Sequence, residues 1–197
     1  MIKVYAMNVS GIDSYDVNLR KRLSPKRLEK VNSCRVEKNR KQSIGAELLL
    51  NYAIRNEIKA ECPVIWDTDE NGKLFIPNCD FNVNLSHSGD YAVCAVSDKA
   101  VGVDIQIIGK ANMLLAKRFF TIDECEYINS SKNANEAFFD IWVKKESFIK
   151  AVGKGLAIPL SSFSVLGNTV SFNGVEYIFR KYSVKDIAYK LCACVSV

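Results

Sequence analysis

The sequence predicts an α+β protein of two lobes, residues 1–98 and 99–197, with ligands bound where the lobes meet. Three observations lead there. The chain has 197 residues, 48% hydrophobic and 25% charged, a balance ordinary for a globular protein that buries a sizeable core. Each half reads as helical segments followed by antiparallel strands. A turn at 97–100 separates the two series, and neither low-complexity sequence nor a short-period repeat interrupts them.

Taken in order, residues 2–9 alternate as a short strand. Ser24 and Pro25 then open a basic helix, because serine accepts from first-turn amides and proline's fixed φ suits the first helical position. A second helix is expected over 43–57, where Ile44, Leu48, Leu49, Tyr52 and Ala53 recur on one side. Residues 64–66 and 74–76 flank an Asp-Glu-Asn-Gly turn and read as a hairpin. Strands follow at 81–85 and 91–96, separated by a turn formed by Ser86, His87, Ser88, Gly89 and Asp90, and then at 101–105. The second half runs through helices at 111–120, 122–130 and 135–152, then strands at 163–166, 169–172, 175–182 and 188–196.

Charge is concentrated rather than spread. Ten of the basic residues fall between Arg20 and Lys41, against only Glu29 and Glu37, within a net charge of +5. Such a surface suits a phosphorylated small molecule or an acidic protein; nucleic acid is disfavoured because no recognised binding motif accompanies it. Seven cysteines, scattered and without a CxxC pair, indicate reduced thiols rather than disulfides or zinc. No stretch approaches the roughly 18 apolar residues of a membrane span, and the first residues read as a strand rather than a signal peptide, so a cytoplasmic protein is expected.

The densest chemistry lies in Trp142–Lys150, read WVKKESFIK. Trp142, Glu146 and Lys150 recur every four residues along one helical stripe, with Lys145 among apolar neighbours. A carboxylate between ammonium groups can hold a divalent cation while the lysines bind phosphate oxygens. In the strand VGVDIQ, Val101, Val103 and Ile105 point one way and Gly102, Asp104 and Gln106 the other. An acid on so apolar a strand needs a partner, and together with Glu146 it makes a Mg site. His87, the sole histidine, sits beside Ser86, Ser88 and Gly89 in a segment suited to phosphate. Lys73 follows the hairpin glycine Gly72 and is a further phosphate candidate. Gly153 reads as a helix C-cap rather than part of a Walker loop. Thr121-Ile122-Asp123-Glu124 fits a capping box.

These segments, in order, resemble the Sfp-type 4'-phosphopantetheinyl transferase family. The matching pieces are LSPKRLEK, IGAELLL, NGKLFIP, FNVNLSHSGDYAV, VGVDIQ, AKRFFTIDE, WVKKESFIKAVGKGL and IPLSSFSV, which cover nearly the whole chain. The resemblance implies two similar lobes related by a pseudo-twofold axis, with coenzyme A between them. It implies Asp104 and Glu146 as Mg ligands, with Gln106, standing where the family often carries a second acid, as the third through its amide oxygen, or water in its place. Ser86 and His87, helped by Arg27 and Lys30, match the part of the family that holds the adenosine 3'-phosphate. Lys145 and Lys150 match positions near the diphosphate. Lys73 lies in a nucleotide-proximal segment, although leucine replaces the family's proline at position 74. Glu124 matches a glutamate placed near the metal or the attacking hydroxyl, a role that stands beside the capping one.

The implied activity is transfer of 4'-phosphopantetheine from coenzyme A to a serine of an acyl or peptidyl carrier protein, releasing adenosine 3',5'-bisphosphate, as in a holo-[acyl-carrier-protein] synthase. Glu146, Glu124 or a Mg-bound water takes the proton. The resemblance also implies a monomer without nucleic-acid or membrane partners, and leaves open whether fatty acid, polyketide or nonribosomal peptide carriers are served. The rival is a silent homologue that binds coenzyme A or a carrier without catalysis; Gln106 is the feature in its favour.

Overall fold

The computed structural model describes residues 1–59 and 61–197. Its architecture is α+β. Strands β1 (Ile2–Asn8), β4 (Asn82–Ser88) and β5 (Tyr91–Ser97) form an antiparallel sheet in the order β1-β5-β4. Strands β6 (Val101–Ile107), β7 (Thr169–Phe172), β8 (Val175–Tyr182) and β9 (Tyr189–Ser196) form a second, ordered β6-β9-β8-β7. Between β1 and β4 in the chain come α1 (Val17–Arg20), α2 (Pro25–Ser33), α3 (Glu37–Ile58) and the short hairpin β2 (Asp67–Thr68) and β3 (Leu74–Phe75). Helices α4 (Met113–Phe119), α5 (Ile122–Ser130) and α6 (Ala134–Val152) lie between β6 and β7.

Each sheet is covered by one long helix. The first sheet gives Val83, Cys94 and Val96 to Leu49, Leu50, Ala53 and Ile54 of α3. The second gives Tyr177, Phe179, Cys192 and Cys194 to Ile141, Phe148 and Ala151 of α6. Burying a side chain such as Phe148, which is fully enclosed, contributes roughly 1.5–3 kcal/mol. The sheets also meet each other, through Val93 and Ala95 of β5 packed with Val101, Val103 and Ile105 of β6. Where β4 runs beside β6, side chains bridge them: Val103 N donates to Asn84 Oδ1 at 2.9 Å, and Ile107 N to Ser88 Oγ at 3.0 Å.

Several boundaries differ from expectation for identifiable reasons. Helix α3 begins at Glu37, six residues before the expected start at Ser43, because Glu, Lys, Arg and Gln form helix well and Glu37 anchors the first turn through Ser14 and Arg40. Tyr52, read as part of its apolar side, is exposed. The hairpin pairs Asp67 and Thr68 with Phe75 and Leu74 rather than residues 64–66, where the Val64 amide is taken by Asn51 Oδ1 and the Trp66 side chain is turned to Glu47. Strand β4 extends through Ser88, so His87 is a strand residue and the turn is only Gly89 and Asp90. Residues 163–166 form no strand. The Val165 amide donates to Glu124 Oε1 and its carbonyl accepts from Lys144, leaving neither group for a ladder.

Among the described residues the seven cysteines form no disulfide. Among the described residues no helix is long and apolar enough to cross a membrane.

Candidate active site

The site begins at Gly102. A Cβ there would come within 2.1 Å of the Ser147 carbonyl oxygen and 2.3 Å of the Ala151 nitrogen, so only glycine lets α6 lie directly on β6. This approach sets Asp104, next but one on the same strand face, beneath Lys150. Asp104 is 2% exposed, and a carboxylate so enclosed needs donors. Its Oδ1 accepts from Lys150 Nζ at 2.6 Å and from Ser86 Oγ at 2.8 Å. Its Oδ2 accepts from Gln106 Nε2 at 3.1 Å. Lys150 Nζ also donates to Ser86 Oγ and to the Val103 carbonyl, each at 3.1 Å. Three elements thus converge: β4 supplies Ser86, β6 supplies Asp104 and Gln106, and α6 supplies Lys150.

One helical turn before Lys150, Glu146 is half-buried. Burial raises its carboxyl pKa, the negative charge of Asp104 raises it further, and Lys150 opposes both. Two carboxylates therefore share one partly desolvated region. Among the described residues no cluster of three or more His, Cys, Asp or Glu side chains forms a metal cage, which leaves this pair without a third acid where Gln106 stands.

Beside the pair opens a groove of about 330 Å³ whose lining includes Arg27, Lys30, Lys73, His87 and Lys150. The cations are held differently. Arg27 is buried: its Nε donates to Glu47 Oε2 at 2.9 Å, its Nη1 to Ser43 Oγ at 3.3 Å, and its guanidinium lies 4.9 Å from the Trp66 ring centroid. Lys30 is exposed and enters no ion pair among the described residues. Lys73 Nζ donates to the Ala151 carbonyl at 2.7 Å and packs against Gly153, the left-handed C-cap of α6; burial pushes its pKa down. His87 reaches solvent, yet the protein packed round it lowers its pKa, and Lys30, Lys150 and Arg27 lower it further. With Arg27, Lys30, Lys73 and Lys150 all in its lining, the groove is electropositive and suits anionic oxygens.

The structure does not bring Glu124 and Lys145 into this groove. Both side chains are 0% exposed and pair with each other at 2.9 Å inside the second core. Lys145 Nζ also donates to the Leu160 and Phe163 carbonyls, each at 2.7 Å, and burial pushes its pKa down while Glu124 draws it up. Glu124 completes the capping box with Thr121 and accepts from Val165 N. The expectation that Lys145 faces a diphosphate, and that Glu124 approaches a hydroxyl, is corrected accordingly: every polar atom of the pair is committed to holding α5 and residues 160–165 against α6.

Two residues of the site escaped sequence reasoning. Glu47, fully buried, orders the groove wall by accepting from Arg27, Trp66 and the Ser24 amide. An acid on the inner side of an apolar helix is a readable signal, but its partners lie about 20 residues away in either direction and are not. Asn84 both lines the groove and ties β4 to β6.

The sequence profile of the 4'-phosphopantetheinyl transferase superfamily matches residues 100–192. A 4'-phosphopantetheinyl transferase of Bacillus subtilis is 38% identical over 66% of this chain, and the chain covers 62% of that protein's length. The transferase psf-1 of Bacillus pumilus is 32% identical over 98% of this chain and 89% of its own length. Sfp of Bacillus subtilis strain 168 is 31% identical over 87% and 81% respectively. Among solved structures, Thermotoga maritima holo-[acyl-carrier-protein] synthase aligns with a TM-score of 0.39 and 17% identity over 49% of this chain and 62% of its own, too distant a likeness to argue from. With such identity over most of both chains, this protein belongs to the 4'-phosphopantetheinyl transferase family, among relatives of the Sfp type.

Proposed function

We propose that the protein transfers 4'-phosphopantetheine from coenzyme A to a carrier-protein serine, releasing adenosine 3',5'-bisphosphate. The observation that carries this reading is the juxtaposition of an electropositive groove, lined by Lys30, Lys73, His87 and Lys150, with the carboxylates Asp104 and Glu146. A diphosphate linked to a 3'-phosphate needs the first, and a divalent cation needs the second. The relatives' names point to the same activity.

The donor chemistry fits Mg: two oxygen acids, one buried and one whose pKa is raised by burial and then by the other's charge, would be stabilised by a hard cation. Asp104 and Glu146 would hold it. Gln106 uses its amide nitrogen on Asp104, since an ionised carboxylate can only accept, and so plays the part of a donor rather than that of the family's acid. A bound cation would offset charge on the diphosphate. The chain's own residues do the rest. His87 and Lys30 bind the 3'-phosphate, with Arg27 setting the groove's potential from behind; Lys150 neutralises oxygens nearer the phosphorus under attack, and Lys73 lies towards the nucleotide. Glu146, half-buried one helical turn before Lys150, or a water at the site takes the serine proton. Glu124 and Lys145 act at one remove, by fixing the seat of α6.

In this reading the lobes are residues 1–98 and 99–197, the protein is a cytoplasmic monomer, and the carrier is an acyl or peptidyl carrier protein. Gln106 favours a second reading, a homologue that binds without catalysis. Incubation with coenzyme A, Mg and a panel of apo carrier proteins separates the two: a phosphopantetheine mass gain on a carrier supports transfer, and no gain with any carrier, despite coenzyme A binding, supports the silent homologue.

A further inference from the structure

Lys150 has no donor to spare. An ammonium carries three N–H groups, and here they meet three acceptors: Asp104 Oδ1, Ser86 Oγ and the Val103 carbonyl. The Asp104 carboxylate is held on both oxygens, by Lys150 and Ser86 on Oδ1 and by Gln106 on Oδ2. The fold thus supplies Asp104 with its own cation. Neither of the two ligands assigned to this region can bind there additively. A divalent cation on either oxygen of Asp104 would lie within a few ångströms of the Lys150 ammonium, which is 2.6 Å from Oδ1, and like charges that close repel strongly where water is scarce. A phosphate oxygen that draws Lys150 away leaves a 2%-exposed carboxylate without its ion-pair partner, which is costly. Each ligand removes the other's obstacle. The cation takes over Asp104 and frees the lysine; the phosphate receives the lysine and vacates the carboxylate.

Resting on the proposed reading of the site, we propose that Lys150 is an exchangeable counter-ion, moving from Asp104 to a ligand phosphate oxygen, so that the divalent cation and the diphosphate bind cooperatively. The coupling is a property of this chain's charge balance. Gln106 strengthens it, because an amide donor at that position holds Asp104 but adds no negative charge to attract a second cation. Coupling through one shared group is reciprocal: the factor by which the cation tightens the diphosphate equals the factor by which the diphosphate tightens the cation.

The test uses Mn²⁺ as the paramagnetic probe, with no phosphate ligand present, and compares the wild type with Lys150→Met by electron paramagnetic resonance. Removing the resident ammonium should tighten Mn²⁺ by about tenfold. In parallel, the ratio of coenzyme A affinities measured by calorimetry with and without Mg should be about tenfold larger in the wild type than in Lys150→Met, where only the cation's own attraction for the diphosphate is left. Should the variant fold poorly, the wild type alone suffices: in protein labelled with ¹⁵N at lysine Nζ, Mg added by itself should displace the Lys150 resonance, and chelation should restore it. Equal or weaker Mn²⁺ binding by Lys150→Met, an unchanged affinity ratio, or a Lys150 resonance that stays still while the cation binds would each overturn the exchange and leave the metal site standing. If Mn²⁺ binds neither protein, with or without coenzyme A, the exchange and the metal reading fall together.

Discussion

At the scale of single residues, His87 shows how a side chain's protonation reports its neighbours. Burial and the charges of Lys30, Lys150 and Arg27 depress its pKa, so the free protein holds it neutral to lower pH than an isolated histidine. The sign for stability follows: the unfolded chain binds the proton first, and stability from this group is lost as pH falls from the unfolded value through the depressed folded one. An anionic phosphate reverses the balance by favouring the imidazolium. Coenzyme A binding by the wild type should therefore take up protons near neutrality, and its affinity advantage over His87→Ala, about tenfold or more once the ring is charged, should widen as pH drops from 8 to 6. 3'-Dephospho-coenzyme A should show no such widening in the same calorimetric titrations. The residues of this site divide in how far the sequence revealed them. Asp104, Glu146 and Lys150 were legible because polar groups interrupting an apolar pattern require partners. The pairing of Lys145 with Glu124 was not, since a helical lysine among apolar side chains reads the same whether its head enters a ligand groove or the interior.

Among elements, the contact of β6 with α6 positions the chemistry, and its closeness rests on Gly102. A methyl group there meets backbone atoms of α6, not the pliable end of a side chain, so the helix must move off the strand. Gly102→Ala should lower stability by about 1–3 kcal/mol in urea unfolding and reduce transfer beyond what that loss explains, because Glu146 and Lys150 ride on the displaced helix. A variant that unfolds at a wild-type urea concentration with wild-type turnover would show that α6 does not need this seat. Helix α5 matched its expected limits because capping-box chemistry marks one end in the local sequence, and β7 and β8 did because an Asn-Gly turn separates them. The segment 163–166 has the composition of a strand. What overrides it is Glu124 and Lys144, 41 and 21 residues away from Val165, occupying its backbone groups, and no local pattern encodes that.

Across the whole molecule, surface chemistry decides how a protein substrate arrives. The residues Met113, Leu114 and Leu115 on α4 do not share one fate: Met113 and Leu115 pack against the second core, whereas Leu114 is 81% exposed. A carrier protein that presents an acidic helix beside its serine would be drawn by the basic surface and seated on such an apolar residue. Leu114→Glu should raise the Michaelis constant for the carrier by roughly tenfold, equivalent to about 1.4 kcal/mol, and leave that for coenzyme A unchanged. Added salt should weaken the carrier's association in the wild type by screening the long-range attraction. An unchanged carrier constant in the folded variant would place docking elsewhere. The α+β class and the sequential arrangement of strands were evident from periodicity. How one sheet's strand comes to lie beside the other's was not, because Asn84 and Ser88 make that junction with side chains rather than with a ladder.

The most direct measurement is the rate of phosphopantetheine transfer by Glu146→Ala in single turnover, followed by mass on an apo carrier that the wild type modifies, with melting temperature and coenzyme A affinity recorded on the same preparation. Loss of transfer by about 10²–10³-fold or more, with the fold intact and coenzyme A still bound at saturating concentration, is what a site built on Asp104, Glu146 and Lys150 requires. Transfer at the wild-type rate by that variant would contradict it, and would move the chemistry away from the junction of β4, β6 and α6.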